Sequence, residues 1–210
     1  MHNDPIIENI CKELVALRAA HTILLYGSRS DGTAAADSDY DIAAFATIDK
    51  PLQIARHVAG AYLDVFIYPE PILLKPNEEH LKLRGSHVLL QRGTEAQDFL
   101  SRLEDVFNLG PGPLPADEIA MRKAWAHKML VRLQRADDEG NYRRVWLLTA
   151  LLEDYFHIRS LWYLGPKKSL RWLQQHDAGT FVAMQLALKP NASVESITAL
   201  VQLVAGQLEV

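Results

Sequence analysis

The segment Gly110-Pro111-Gly112-Pro113-Leu114-Pro115 divides this sequence into two halves with different hydrophobic patterns. Three prolines and two glycines within six residues can continue neither an α-helix nor a central β-strand, because proline lacks a backbone N–H donor and has a fixed φ. Short β-prone runs alternate with helical patterns before this segment, whereas the patterns after it are helical throughout. We therefore predict an α+β fold: a small mixed β-sheet domain over residues 1–110, followed by an all-α helical bundle domain over residues 116–210.

Hydrophobic spacing and turn residues predict the elements of both halves. In the first half we expect helices over residues 5–19, 50–60 and 95–108, and strands over residues 21–26, 39–45, 62–68 and 87–91. In the second half we expect helices over residues 116–138, 142–164, 167–175, 180–188 and 194–207. The first half then reads α-β-β-α-β before its last strand and helix, which indicates a small mixed sheet with helices on it.

Composition excludes several classes of protein. Of the 210 residues, 49% are hydrophobic, which excludes disorder over most of the chain. No apolar run approaches the roughly 20 residues that span a bilayer, and the acidic N-terminus does not fit a signal peptide. Cys11 is the only cysteine, so no intrachain disulfide can form. We therefore expect a cytoplasmic protein with no membrane partner.

The charges are unevenly divided along the chain. The net charge is −4, but the first 110 residues carry ten basic and sixteen acidic side chains, and the remainder carry twelve and ten. Because a strongly basic track is missing, we expect no nucleic-acid partner. The acidic first half could hold a metal ion at one side of a site, and the basic second half could bind a polyanion at the other side. Solvated basic helix faces explain the charges of the second half equally well.

The stretch between Gly27-Ser28 and Asp41 carries the clearest chemistry. A predicted strand ends at Gly27-Ser28, where the missing side chain lets backbone N–H groups approach an anion closely. Asp39 and Asp41 lie two residues apart on the next predicted strand, so their carboxylates project from one face. Adjacent like charges repel unless a cation lies between them, and a hard ion such as Mg²⁺ prefers these oxygen ligands.

A third carboxylate lies on a later predicted strand. Asp64 is the only charged residue between Ala61 and Tyr68, and a lone carboxylate in an apolar strand is costly to bury without a partner. If its strand lies beside the Asp39-x-Asp41 pair, the three carboxylates could hold two divalent ions for an in-line phosphoryl displacement. The alternative, a glycine-rich turn followed by an acidic loop, leaves Asp64 unexplained.

Residues 20–68 resemble the signature of the polymerase-beta-type nucleotidyltransferases. That signature is a hydrophobic strand, Gly-Ser, a nearby glycine, Asp-x-Asp and a third acid on a later strand. Its counterparts in this sequence are Gly27-Ser28, Gly32, Asp39, Asp41 and Asp64. The resemblance implies that the first half is a nucleotidyltransferase catalytic domain.

The resemblance also implies a reaction. A nucleoside triphosphate, expected to be ATP, would bind at Gly27-Ser28, and an acceptor hydroxyl would attack the α-phosphorus and release pyrophosphate. Mg²⁺ would be held by the three catalytic carboxylates Asp39, Asp41 and Asp64. In the family the counterpart of Asp64 ligates the metal nearest the attacking oxygen. Arg29 is placed to contact phosphate, and a surface salt bridge is an equal alternative for it.

The helical second half suggests where an acceptor binds. A helical domain behind a short catalytic domain resembles the layout of antibiotic-modifying nucleotidyltransferases, especially the aminoglycoside type, which implies a small hydroxyl-bearing acceptor. Glu153 and His157 form an i, i+4 pair, and Glu153 is a candidate catalytic base for the acceptor hydroxyl. An interhelical salt bridge, or a cap on Arg159, is the structural alternative for Glu153.

Two further questions stay open from the sequence. An antitoxin-like or regulatory nucleotidyltransferase module, which modifies or binds a protein or RNA partner, is the alternative function. Such modules usually lack a long helical half, which favours the small-molecule enzyme. Apolar positions in residues 194–210 suit packing within the bundle or across a dimer, so an oligomer is compatible with the sequence.

Overall fold

The computed structural model describes residues 4–135 and 137–207. The chain forms two compact units, Met1–Leu109 and Gly110–Val210. The α+β class is confirmed, because the first unit contains a five-stranded mixed sheet and the second is built from helices. In the described residues, no helix combines the length and the apolar character needed to cross a membrane.

In the first unit the sheet follows one opening helix and precedes another. Helix α1 begins after Asp4, whose side chain accepts a hydrogen bond from Ile6 N at 2.9 Å and caps the helix. The elements are α1 Pro5–Arg18, β1 Thr22–Tyr26, β2 Tyr40–Ala46, β3 Leu52–Val58, β4 Ala61–Pro69, β5 His87–Leu90 and α2 Glu95–Leu109. The strand order is β3-β4-β2-β1-β5, in which β2 and β4 run parallel and the other pairs antiparallel.

The two faces of the sheet have different surroundings. Alternate residues of β2, such as Ile42 and Ala44, join a buried cluster with Ile10 and Leu14 of α1. Because side chains alternate between faces along a strand, Asp41 projects from the face opposite α1. The sequence therefore places the α1 core and the β2 carboxylate on different sides of the same strand.

The helix predicted over residues 50–60 is wrong. Leu52–Val58 is the edge strand β3, which pairs antiparallel with β4. Ala59 and Gly60 between them have φ values of 50° and 84°, which suit a two-residue hairpin turn whose twist matches the flanking strands. The order of the first unit is therefore α-β-β-β-β-β-α.

In the second unit the helices are confirmed but several boundaries move, and the helix predicted to reach residue 138 ends at Leu133. The helices are α3 Ala116–Leu133, α4 Asp138–Ile158, α5 Pro166–His176, α6 Ala178–Ala187 and α7 Val194–Ala205. The predicted connection at residues 139–141 lies inside α4, because Asp137 caps this helix by accepting a hydrogen bond from Gly140 N at 2.7 Å. The helix predicted to reach Leu164 ends at Ile158, before Ser160 with its left-handed φ of 52°.

Candidate active site

The carboxylates of Asp41 and Asp64 lie on neighbouring strands in one register. Strands β2 and β4 run parallel, and Asp41 pairs directly with Asp64. Paired residues of adjacent strands share a face, and the strands are about 4.8 Å apart. Both residues are half-buried. The proximity that the sequence predicted for these two carboxylates is therefore present in the sheet.

Gly27 packs directly against the Asp41 carboxylate. Gly27 follows β1, has φ +70° and begins a short 3₁₀ turn that ends at Arg29. A Cβ atom at Gly27 would lie 2.1 Å from Asp41 Oδ2, well inside van der Waals contact. Only glycine accommodates both the left-handed backbone and this approach. The Gly27-Ser28 turn and Asp41 thus form one contiguous surface.

Arg29 forms hydrogen bonds with the backbone of the loop that leads to Asp39. Its Nε donates to Ser38 O and Asp39 O, both at 3.1 Å, and its Nη2 donates to Ser38 O at 2.6 Å. The guanidinium also lies 3.9 Å from the centre of the Tyr40 ring. These contacts give Arg29 a structural role that neither sequence alternative described. Its contact with phosphate stays a prediction.

Asp39 lies at the end of this loop, directly before β2. Its side chain is exposed, unlike those of Asp41 and Asp64. Within residues 4–135 and 137–207, no three His, Cys, Asp or Glu side chains are arranged to hold a metal ion. The structure thus brings Gly27 against Asp41 and Asp64 beside Asp41, whereas the three carboxylates do not form a metal-binding cluster within the described residues. The metal-binding role of the three carboxylates stays a prediction.

Gln53 is a site residue that the sequence did not indicate. Its Nε2 donates to Asp64 Oδ1 at 2.8 Å, from the exposed edge strand β3. This bond restricts the rotation of the Asp64 carboxylate and leaves its other oxygen for a further ligand. The sequence predicts a helix over residues 50–60, which puts Gln53 on no strand beside Asp64.

Lys82 is the second residue that the sequence missed. It belongs to the 3₁₀ helix Glu78–Leu83, and its Nζ lies 3.7 Å from the centre of the Phe66 ring. Burial lowers the pKa of Lys82, and the charges of Asp64 and Asp41 act in the opposite direction. The face of the sheet that carries Asp41 and Asp64 (the carboxylate face) therefore includes the half-buried ammonium group of Lys82.

Two phenols complete this face. Burial raises the pKa of Tyr26 above its usual range, and the charges of Asp41 and Asp64 add to that shift. Burial, Asp64 and Glu79 together raise the pKa of Tyr68 to about 12. Both phenols therefore stay protonated at neutral pH, where they can donate hydrogen bonds but cannot act as bases.

A cavity of the first unit lies away from these carboxylates. A cavity of about 520 Å³ is lined by residues that include Thr47, Leu74 and Asp98. Thr47 follows the far end of β2, six residues beyond Asp41, which corresponds to about 20 Å along a strand. This cavity is therefore separate from the face of the sheet that carries Asp41 and Asp64.

In the second unit Glu153 lies half-buried on α4. Its charge adds to the effect of burial in raising the pKa of Tyr163, whose ring contacts His157 edge-on with the ring centres 6.2 Å apart. Arg159, the predicted alternative partner, donates instead to the carbonyl oxygens of Tyr155 and Leu203. The role of Glu153 as a base stays a prediction.

A partly buried ion pair of α4 involves Asp154, the residue after Glu153. Asp154 is 5% exposed and accepts a hydrogen bond from Arg122 Nη1 of α3 at 2.7 Å. Arg122 also donates to Glu118, so this pair links two helices through a fixed guanidinium. The interhelical salt bridge that the sequence offered for Glu153 is thus made by its neighbour.

Comparison with known proteins gives no family assignment. No family model matches the chain, and no curated protein matches its sequence. Among solved structures it is similar to a nucleotidyltransferase-like protein from Exiguobacterium sibiricum 255-15, with a TM-score of 0.39 and 10% sequence identity. That match covers 95% of this chain and 75% of the other. A likeness this distant assigns neither an activity nor a site residue to this chain.

Proposed function

We propose that this protein is a nucleotidyltransferase that moves a nucleoside monophosphate, AMP from ATP, to a hydroxyl group of a small molecule. The observation that carries the proposal is the in-register pair Asp41 and Asp64, with the Asp41 carboxylate packed on Gly27. Two neighbouring carboxylates are costly unless a cation shares them. Paired carboxylates on one face are the arrangement that supports in-line phosphoryl displacement with divalent ions.

The donor set of this face fits magnesium. Mg²⁺ takes oxygen ligands and is typically bound by one or two carboxylates together with substrate phosphates and waters. Asp41 and Asp64 would supply the carboxylates, and Asp39 at the end of the adjoining loop would add a third. When bound, the ion would neutralise phosphate charge and lower the pKa of the acceptor hydroxyl.

The proposed reaction exchanges one phosphorus–oxygen bond for another. The acceptor oxygen attacks the α-phosphorus, the bond from that phosphorus to the bridging oxygen breaks, and pyrophosphate leaves with the electron pair. The acceptor proton passes to a base, for which Glu153 is the candidate. Gln53 orients Asp64 through its bond to Oδ1, at 2.8 Å, and the Gly27-Ser28 turn would receive the triphosphate.

The test is the loss of nucleotide transfer when either paired carboxylate is neutralised. We expect Asp41→Asn and Asp64→Asn each to lower the rate of AMP transfer from α-labelled ATP by about a hundredfold or more, since charge stabilisation at the reacting centre is removed. The assay uses Mg²⁺ and a panel of hydroxyl compounds, with pyrophosphate release as a second readout. Asp105→Asn is the matched control, because Asp105 is an exposed carboxylate on α2.

Three outcomes distinguish the candidate functions. Transfer that both Asn variants retain at the wild-type rate contradicts the proposal. Transfer that is lost in both variants and kept in Asp105→Asn supports it. Labelling of a co-purified protein or RNA, with no small hydroxyl compound labelled, supports the antitoxin-like alternative instead.

A further inference from the structure

The backbone position of Lys82 is fixed by its neighbours. Leu81 and Leu83 on either side of it are buried at 1% and 0% exposure. The 3₁₀ helix that carries it is capped by Asn77, whose side chain accepts a hydrogen bond from Glu79 N. Lys82 itself is half-buried, so its side chain extends from a fixed base over the surface of the sheet.

The ammonium group of Lys82 lies over the face that carries the paired carboxylates. Its Nζ is 3.7 Å from the centre of the Phe66 ring and 5.8 Å from that of Tyr26. Phe66 is two residues beyond Asp64 on β4, and Tyr26 pairs with Asp41, so both rings share the face of the carboxylates. The lysine is therefore directed across the site rather than away from it.

The chain just after Lys82 is also hydrogen-bonded to the turn that follows β1. Ser30 Oγ donates to Gly85 O at 3.0 Å, three residues after Lys82. The nearby cation Arg29 is already engaged by the carbonyl oxygens of Ser38 and Asp39. Lys82 thus contributes a positive charge on the carboxylate face, from an element that is bonded to the Gly27-Ser28 loop.

A triphosphate brings several negative charges to a face that already holds two carboxylates. An ammonium group with three donors can bind phosphate oxygens as a point charge, and its hydrogen bonds to anions are stronger than neutral ones. We propose that Lys82 is a phosphate-binding residue of this site, and that its ammonium group holds the phosphates that leave as pyrophosphate. This inference rests on the proposed nucleotidyltransferase function.

Binding measurements on the full chain test the role of Lys82. Lys82→Met keeps the length of the side chain and its contact with the Phe66 ring while removing the charge. We expect this variant to weaken the affinity for ATP and for pyrophosphate by about tenfold or more, with Mg²⁺ present, and to leave the affinity for adenosine unchanged. Lys82→Arg keeps the positive charge and should bind ATP and pyrophosphate with an affinity within about tenfold of wild type.

The control is Lys75→Met, because Lys75 lies exposed in the same connection between β4 and β5. Thermal unfolding checks each variant, and Lys82→Gln is a second neutral variant should Lys82→Met not fold. Wild-type affinities for ATP and pyrophosphate in a folded neutral variant overturn the role of Lys82 while leaving the proposed function intact. A wild-type protein that binds neither ATP nor pyrophosphate overturns both.

Discussion

Gly27 is constrained by its neighbour as well as by its own backbone. Its φ of +70° resembles the +60° of Gly93, so an L-residue at either position is strained. The two differ in their surroundings: a Cβ at Gly27 would lie 2.1 Å from Asp41 Oδ2, whereas nothing lies within 4 Å of a Cβ at Gly93. The comparison separates backbone strain from displacement of a site carboxylate.

We expect Gly27→Ala to displace the Asp41 carboxylate and to abolish Mg²⁺-dependent binding of ATP. Gly93→Ala should lower the free energy of unfolding by about 1 kcal/mol, the cost of the left-handed conformation, and leave ATP binding unchanged. Urea unfolding and calorimetric titration with ATP measure the two effects. Equal ATP affinities in the two variants would show that contact with Gly27 does not position Asp41.

The sequence predicts the site residues that lie in a recognisable strand pattern. It misses the site residues that contact the carboxylate face from other elements. Asp41 and Asp64 lie on runs with clear strand character, so their proximity needed only one correct pairing. Gln53 and Lys82 contact the same face from β3 and from a 3₁₀ helix. Their positions at the site depend on contacts between elements that are distant in sequence, and the residues next to them in the sequence do not indicate those contacts.

At the scale of elements, the predicted helices and strands with strong periodicity are present and the errors fall at weak signals. Strand β3 is largely exposed at the sheet edge, so Leu52–Val58 carries little of the alternation that marks a half-buried strand. The sequence predicts a connection at residues 139–141 and so starts α4 too late, since Asp137 caps the helix before Gly140. Side-chain caps, rather than hydrophobic spacing, decide such boundaries.

Asp177 joins two helices of the second unit through one carboxylate. It accepts hydrogen bonds from Thr180 N at 3.0 Å, at the start of α6, and from the Tyr155 hydroxyl of α4 at 2.8 Å. The bond from the Thr180 backbone lowers the pKa of Asp177, against the opposing effect of burial. The ionised form is therefore favoured in the folded unit.

This shift predicts a pH-dependent contribution to stability. The contribution of Asp177 is complete above the usual carboxyl pKa of 3.8 and disappears as the pH falls through the lowered value of the folded protein. Asp177→Asn keeps a side-chain acceptor for the cap but removes the charge, so we expect it to lower the free energy of unfolding by about 1 kcal/mol at neutral pH and by much less near pH 2. Urea unfolding at both pH values measures the difference. A destabilisation that does not change with pH would contradict the role of the charge.

At the scale of the whole molecule, each unit has its own hydrophobic core. One buried cluster includes Ile42 and Val65 of the sheet, and the other includes Leu151 and Leu200 of the helices. Each cluster is drawn from one side of the Gly110–Pro115 segment. A core that is complete within one unit is the physical requirement for that unit to fold alone.

The first unit alone should therefore bind nucleotide, because it contains the residues of the proposed nucleotide site. We expect residues 1–110 to fold cooperatively and to bind ATP with Mg²⁺, since Asp41, Asp64 and Lys82 all lie within them. Circular dichroism and thermal unfolding report folding, and calorimetry reports binding. Asp64→Asn in the same fragment is the control, and its binding should be lost because one of the two paired carboxylates is neutralised. A folded fragment that fails to bind, beside a full chain that does, would mean that the second unit supplies an essential part of the nucleotide site.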